Sequence, residues 1–219
     1  METKQITQEQ ITYLSCADTA KLVRKALKDS FPSQKFSVRS HSYSMGASID
    51  VSWDDGIPSD EVNKIVRQFE GAGFDGMVDY QFYKQHWMMP DGSITAAFSE
   101  GSACTGGYSQ GYSFEKPHPD AKKVHMGADY VFAQRGISED ALKSAAKQIA
   151  ELNNLEFDDM NDYPKDNFFG GMGNNWWNIA RELLYINDIN GKFKIVRSDE
   201  TCSGSWTDFY KVLPSEEDN

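Results

Sequence analysis

The alternation of apolar and polar positions is clearest between residues 35 and 53. Phe36 and Val38 alternate with Ser37 and Arg39, and Ile49, Val51 and Trp53 alternate with Asp50 and Ser52, the period of two of half-buried strands. The stretch reads as a β-hairpin with one apolar row per strand and a polar tip over 40–46, which Gly46 lets close. On either side the period changes to three and four. Ala20, Val23, Ala26, Leu27 and Phe31 predict a helix over 17–30, with Ser15 or Asp18 as its N-cap and Pro32 as its stop. Ser59 caps a second helix with Val62, Ile65, Val66 and Phe69 as its buried stripe. The apolar rows of the hairpin are expected to pack under Val23, Leu27, Ile65, Val66 and Phe69.

Further strands are expected over 76–83, 93–98 and 124–133. Between the last two runs a glycine- and hydroxyl-rich stretch, 101–112, too small-sided to form a core. It is either a mobile loop or a recognition loop in which Tyr108 and Tyr112 supply contact area. Ser138, followed by Glu139 and Asp140, starts a third helix that buries Leu142, Ala145, Ala146 and Ile149. A fourth, over 176–186, turns Ile179, Ala180, Leu183 and Leu184 inward. Trp176 and Trp177 cannot both face one core, so one of them is expected to meet another element or a partner. Short strands over 192–196 and 206–212 follow. The fold class these elements define is α+β, an antiparallel sheet with helices packed mainly on one face. The expected division is a domain over 1–150 and a C-terminal part over 151–219, packed on the same domain.

Charge sharpens this picture. The formal net charge is −11, with residues 1–57 balanced, 58–116 at −4 and 117–219 at −7. Phosphate repulsion on that scale makes direct nucleic-acid binding unfavourable for the chain as a whole. Five carboxylates, Glu156, Asp158, Asp159, Asp162 and Asp166, fall within eleven residues beside a single Lys165, which marks an exposed acidic loop suited to a basic partner. Three widely spaced cysteines form no Cys-x-x-Cys pair and read as reduced thiols. No stretch has the roughly 18 apolar residues of a membrane helix, and no secretory leader is evident, so a cytoplasmic location without membrane contact is expected.

Chemistry is sparse. His86, His118 and His125 lack metal-ligand spacing, and the glycines over 170–173 lack the Lys and Ser/Thr of a phosphate loop, so neither a metal nor another cofactor is implied. The richest donor group is the hairpin tip, where Arg39, His41 and Tyr43 stand among serines and are candidates for partner contact. Tyr108, Tyr112, Glu156, Asp158, Asp159, Asp162 and Trp176 complete the candidate binding residues.

The segments 20–27, 36–40, 46–53, 69–71 and 74–77, with a later one at 126–132, resemble the large polyvalent protein associated domains of phages and conjugative elements, in their twenty-ninth class. The resemblance covers 17–137. It implies a mobile-element context and carries over no catalytic residues. The expected function is that of a non-enzymatic accessory protein that counters a host defence system, of anti-CRISPR or anti-restriction type, by presenting an acidic surface to a basic protein or nucleoprotein complex. The alternative is a DNA-handling module or enzyme with its site at 39–44.

Overall fold

The computed structural model describes residues 10–95, 98–99, 108–109, 116–164, 174–189, 192–198 and 205–215. The fold is α+β, four α-helices with several small sheets. Contacts gather the chain into two compact units, 1–51 with 63–133 and 52–62 with 134–219. The later division between these units falls between Ala133 and Gln134.

In the first unit, helix α1 spans Cys16–Ser30. Ser15 is its N-cap, accepting from the Asp18 N–H at 3.1 Å, which satisfies one of the donors a helix start leaves unpaired. Its apolar stripe, Ala20, Val23 and Leu27, is buried, and the helix packs along strand β2, Ser37–Tyr43. Strand β3, Gly46–Asp54, completes the hairpin, and β10, Tyr130–Gly136, lies on its other side, so the sheet runs β10-β3-β2. Ile49, Val51 and Val66 are fully buried, and Phe69 nearly so. Phe36 and Val38 are only half-buried, because β2 is an edge strand with one neighbour. Helix α2, Ser59–Val66, continues into a 3-10 turn at Arg67–Phe69.

The hairpin differs from expectation at its tip. The strands run on to Tyr43 and resume at Gly46, leaving Ser44 and Met45 as the turn. Arg39, His41 and Tyr43 are therefore strand residues on one face of an edge. Gly46 serves a close approach: a Cβ there would run into the Asp129 carboxylate. That carboxylate accepts the Ala47 N–H at 3.1 Å, while the Asp129 N–H donates to the Ala47 carbonyl at 2.8 Å.

A second sheet in this unit has the order β1-β9-β6, built from β1, Thr12–Tyr13, β6, His86–Met88, and β9, Lys122–His125. β1 runs parallel to β9, and β6 antiparallel. The strand expected over 76–83 is a hairpin, β4 at Ala72–Asp75 and β5 at Tyr80–Tyr83, because Asp79 adopts φ 51° and the chain reverses through 76–79. The strand expected over 124–133 is likewise two, β9 and β10, separated at Gly127, where a Cβ would strike the backbone leading into α1. Two-residue strands β7, Phe98–Ser99, and β8, Tyr108–Ser109, pair with each other.

In the second unit, α3, Glu139–Leu152, and α4, Trp176–Tyr185, pack together. Leu142, Ala145, Ala146 and Ile149 of α3 meet a core of Trp176, Ile179, Ala180, Leu183 and Leu184, closed by β11, Phe193–Arg197, and β12, Tyr210–Pro214. This packing is why α3 groups with the C-terminal elements. The 206–212 strand begins instead as a 3-10 turn, Trp206–Phe209. Arg135 explains why 52–62 joins the same unit. Its Nε and Nη2 donate to the carbonyls of Asp55 (3.1 Å) and Gly56 (2.5 Å), and its Nη1 to those of Leu184 (3.0 Å) and Tyr185 (3.2 Å). One guanidinium thus joins a tight turn to the last carbonyls of α4, where a cation also suits the helix dipole.

Candidate functional site

Two groups of candidate residues occupy defined surfaces. On β2, Arg39, His41 and Tyr43 are all exposed, and as alternate residues they share a face. His41 Nε2 lies 3.1 Å from Asp50 Oδ2 on β3, in a pair half open to water. Tyr130 of β10 is near enough to Tyr43 for their charges to interact, and its ring centroid is 6.3 Å from that of Phe132. Burial first, then the Asp129 and Glu70 carboxylates and Tyr43, push the Tyr130 phenol above its ordinary range. The strand face thus joins a bidentate donor, an imidazole tied to a carboxylate, and aromatic rings. Asp50 was recognisable in sequence as the polar alternate of Ile49 and Val51. Tyr130 and Phe132 were recognisable only as strand residues.

The second group is the acidic segment after α3. Glu156, Asp158, Asp159 and Asp162 are all exposed, whereas Met160 is buried, and Leu155 and Phe157 pack against the same core. The carboxylates are therefore carried outward on a backbone anchored by apolar side chains. Asp159 accepts from the Asn161 backbone and side-chain amides, both at 2.8 Å, and these bonds hold its carboxyl below the usual range.

The remaining candidates fall elsewhere. Trp176 is a core residue at 1% exposure, its ring 5.7 Å edge-on from Phe157. It belongs to the stripe continued by Ile179, Ala180 and Leu183, and that spacing was the signal for burial. Tyr108 lies in strand β8, and Tyr112 falls outside the described residues, as does Asp166.

Charge is divided as sharply as the fold. The first unit holds 13 basic and 13 acidic residues, and the second 9 and 20, so the second carries the whole net charge of −11. A shallow hollow of about 280 Å³ in the first unit, lined in part by Lys25, Asp29, Gln68 and Asp91, is open, and Asp91 is occupied by Ser93. Among the described residues no group of three or more His, Cys, Asp or Glu is placed to hold a metal ion, and no helix is long and apolar enough to cross a membrane.

The architecture is α+β, with an exposed polar strand face and an exposed acidic segment. Residues 14–138, more than half of the chain, match the model of large polyvalent protein associated domain 29, and the chain belongs to that family. No curated protein and no solved structure matches it. Several residues in the matching stretches are structural pins. Gly71 fits where a Cβ would strike the Met126 carbonyl, the Gly127 N–H donates to the Thr19 hydroxyl at 2.9 Å, and Glu70 pairs with Lys84 at 2.9 Å in a largely buried bridge.

Proposed function

We propose that this protein is a non-enzymatic accessory protein of a mobile element that binds a basic host-defence protein or nucleoprotein complex through its acidic second unit. The observation that carries the reading is the partition of charge: a neutral unit, which holds most of the family match, is joined to a unit of 97 residues bearing all eleven net negative charges. A field of that sign and density favours encounter with surfaces that ordinarily receive nucleic-acid phosphates. The ordered acidic segment gives such a surface a fixed face to dock on. The family supplies the mobile-element setting, and a defence complex in the host cytoplasm is the basic partner that setting brings into reach.

Replacing Glu156, Asp158 and Asp162 by Lys, while keeping Asp159 to preserve its turn, tests the reading. Titrated against a purified DNA-binding defence complex, the parent should associate in a strongly salt-dependent way and the triple variant should associate more slowly and weakly. Equal association by parent and variant at low salt would remove the acidic segment from the mechanism.

A further inference from the structure

The sheet β1-β9-β6 carries a surface that differs from the rest of this acidic chain. Its strands contribute Lys122, Lys123 and His125, and no carboxylate, while His86 is buried. Strand register places Tyr13 beside His125 and Trp87 beside Lys123, so these four share one face, and Lys116 Nζ stands 5.9 Å above the Trp87 ring. At one end the face is open. Tyr13, at 72% exposure, and Tyr83, at 64%, flank the His125 imidazole with ring centroids 5.4 and 5.5 Å from it, both in edge contact. The His125 ring is fixed in turn by the 2.9 Å contact of its Nδ1 with the Lys84 carbonyl. Phe74, also exposed, lies on the same side of the β4-β5 hairpin as Tyr83.

Two tyrosines left in water cost apolar hydration that a core position would avoid, yet here the imidazole holds both rings in place. Their uncovered faces suit planar groups, and Lys123 on the same face suits phosphate. We propose that the Tyr13–His125–Tyr83 row is a stacking platform for single-stranded nucleic acid, with Lys123 on the same face of the sheet beside its backbone. A single strand fits because its bases are free to stack, whereas those of a duplex are not. Taken by itself, the first unit carries no net charge. The site shares no residue with the acidic segment, so either reading can fail alone.

The test is fluorescence anisotropy of the intact protein with a labelled oligo(dT) of about 20 nucleotides at about 50 mM salt. The parent is expected to bind it in preference to a duplex of the same length. Tyr13→Ala with Tyr83→Ala should weaken binding about 10- to 100-fold, the range for losing one or two stacked bases. Tyr13→Phe with Tyr83→Phe, which keeps the ring faces, should bind like the parent and guards against a folding defect. The Glu156, Asp158 and Asp162 to Lys variant should bind oligo(dT) at least as tightly as the parent. No binding by the parent, equal affinity for duplex, equal affinity of the double alanine variant, or equal competition by polyglutamate would each overturn the proposal.

Discussion

Lowering the pH should loosen the first unit through one residue, His86. It has 0% exposure, and neither ring nitrogen is held by a well-formed hydrogen bond among the described residues. Burial is the main cause that brings its pKa down to about 4, with Lys84 and His125 adding repulsion and the Gln68 backbone acting weakly the other way. In the unfolded chain the ordinary value of 6.5 returns. Between the two values the unfolded state binds the extra proton, so the stability from a neutral, buried His86 is full above about pH 6.5 and is lost as pH falls toward 4. From pH 7 to 4.5 the loss is about 2 kcal/mol. Asp18, Asp91 and Asp159 have carboxyls held below their ordinary value of 3.8, so they titrate under this window.

Urea unfolding of the parent and of His86→Leu, followed by circular dichroism at both pH values, measures the difference. The other three histidines are common to both proteins and cancel. The parent should lose about 2 kcal/mol more than the variant over this interval. Parallel losses would refute the idea that His86 is a neutral group awaiting its proton.

Further expectations rest on single contacts. Ile49→Ala empties a fully buried site and should cost about 2 to 5 kcal/mol in urea unfolding; a loss under about 0.5 kcal/mol would contradict the packing of β3. Arg135→Ala removes the side-chain donor shared by the carbonyls of Asp55, Gly56, Leu184 and Tyr185, of which Gly56 and Leu184 keep backbone donors, and should cost about 3 kcal/mol in the second unit, with Arg135→Lys restoring only part of it. Arg39→Ala with Tyr43→Ala, both on an exposed strand face, should leave the thermal midpoint within a few degrees while weakening partner binding by about 1 to 4 kcal/mol in calorimetry.

The helices were legible because burial on one side leaves a three-and-four stripe, and α1, α3 and α4 form where Val23 and Leu27, Leu142 and Ile149, and Ile179 and Leu183 predict them. The buried strand β3 was legible for the same reason. Its partner was legible only as far as Arg39. From Arg39 to Tyr43 the edge strand β2 is exposed throughout, so no apolar row marks it as strand, and its polar residues read as a long tip. The segment 76–83 failed in the opposite way: Met77 and Val78 look like strand residues but stand exposed in a turn that Asp79 closes in the left-handed region. The acidic segment could be read because four carboxylates among few cations cannot be buried together. The confinement of all net charge to one unit could not, since it depends on Arg135 holding the acid-rich stretch 52–62 to α4, a link across about 80 residues.

Competition between the protein and DNA for one defence complex tests the central claim most directly. A purified complex of CRISPR-interference or restriction type would be loaded with labelled duplex DNA and titrated with the intact protein at several salt concentrations. The account predicts displacement of the DNA, with an apparent affinity that falls steeply as salt rises and a flattened dependence for the Glu156, Asp158 and Asp162 to Lys variant. Binding that leaves the DNA in place, or displacement by the variant with the salt dependence of the parent, would contradict it.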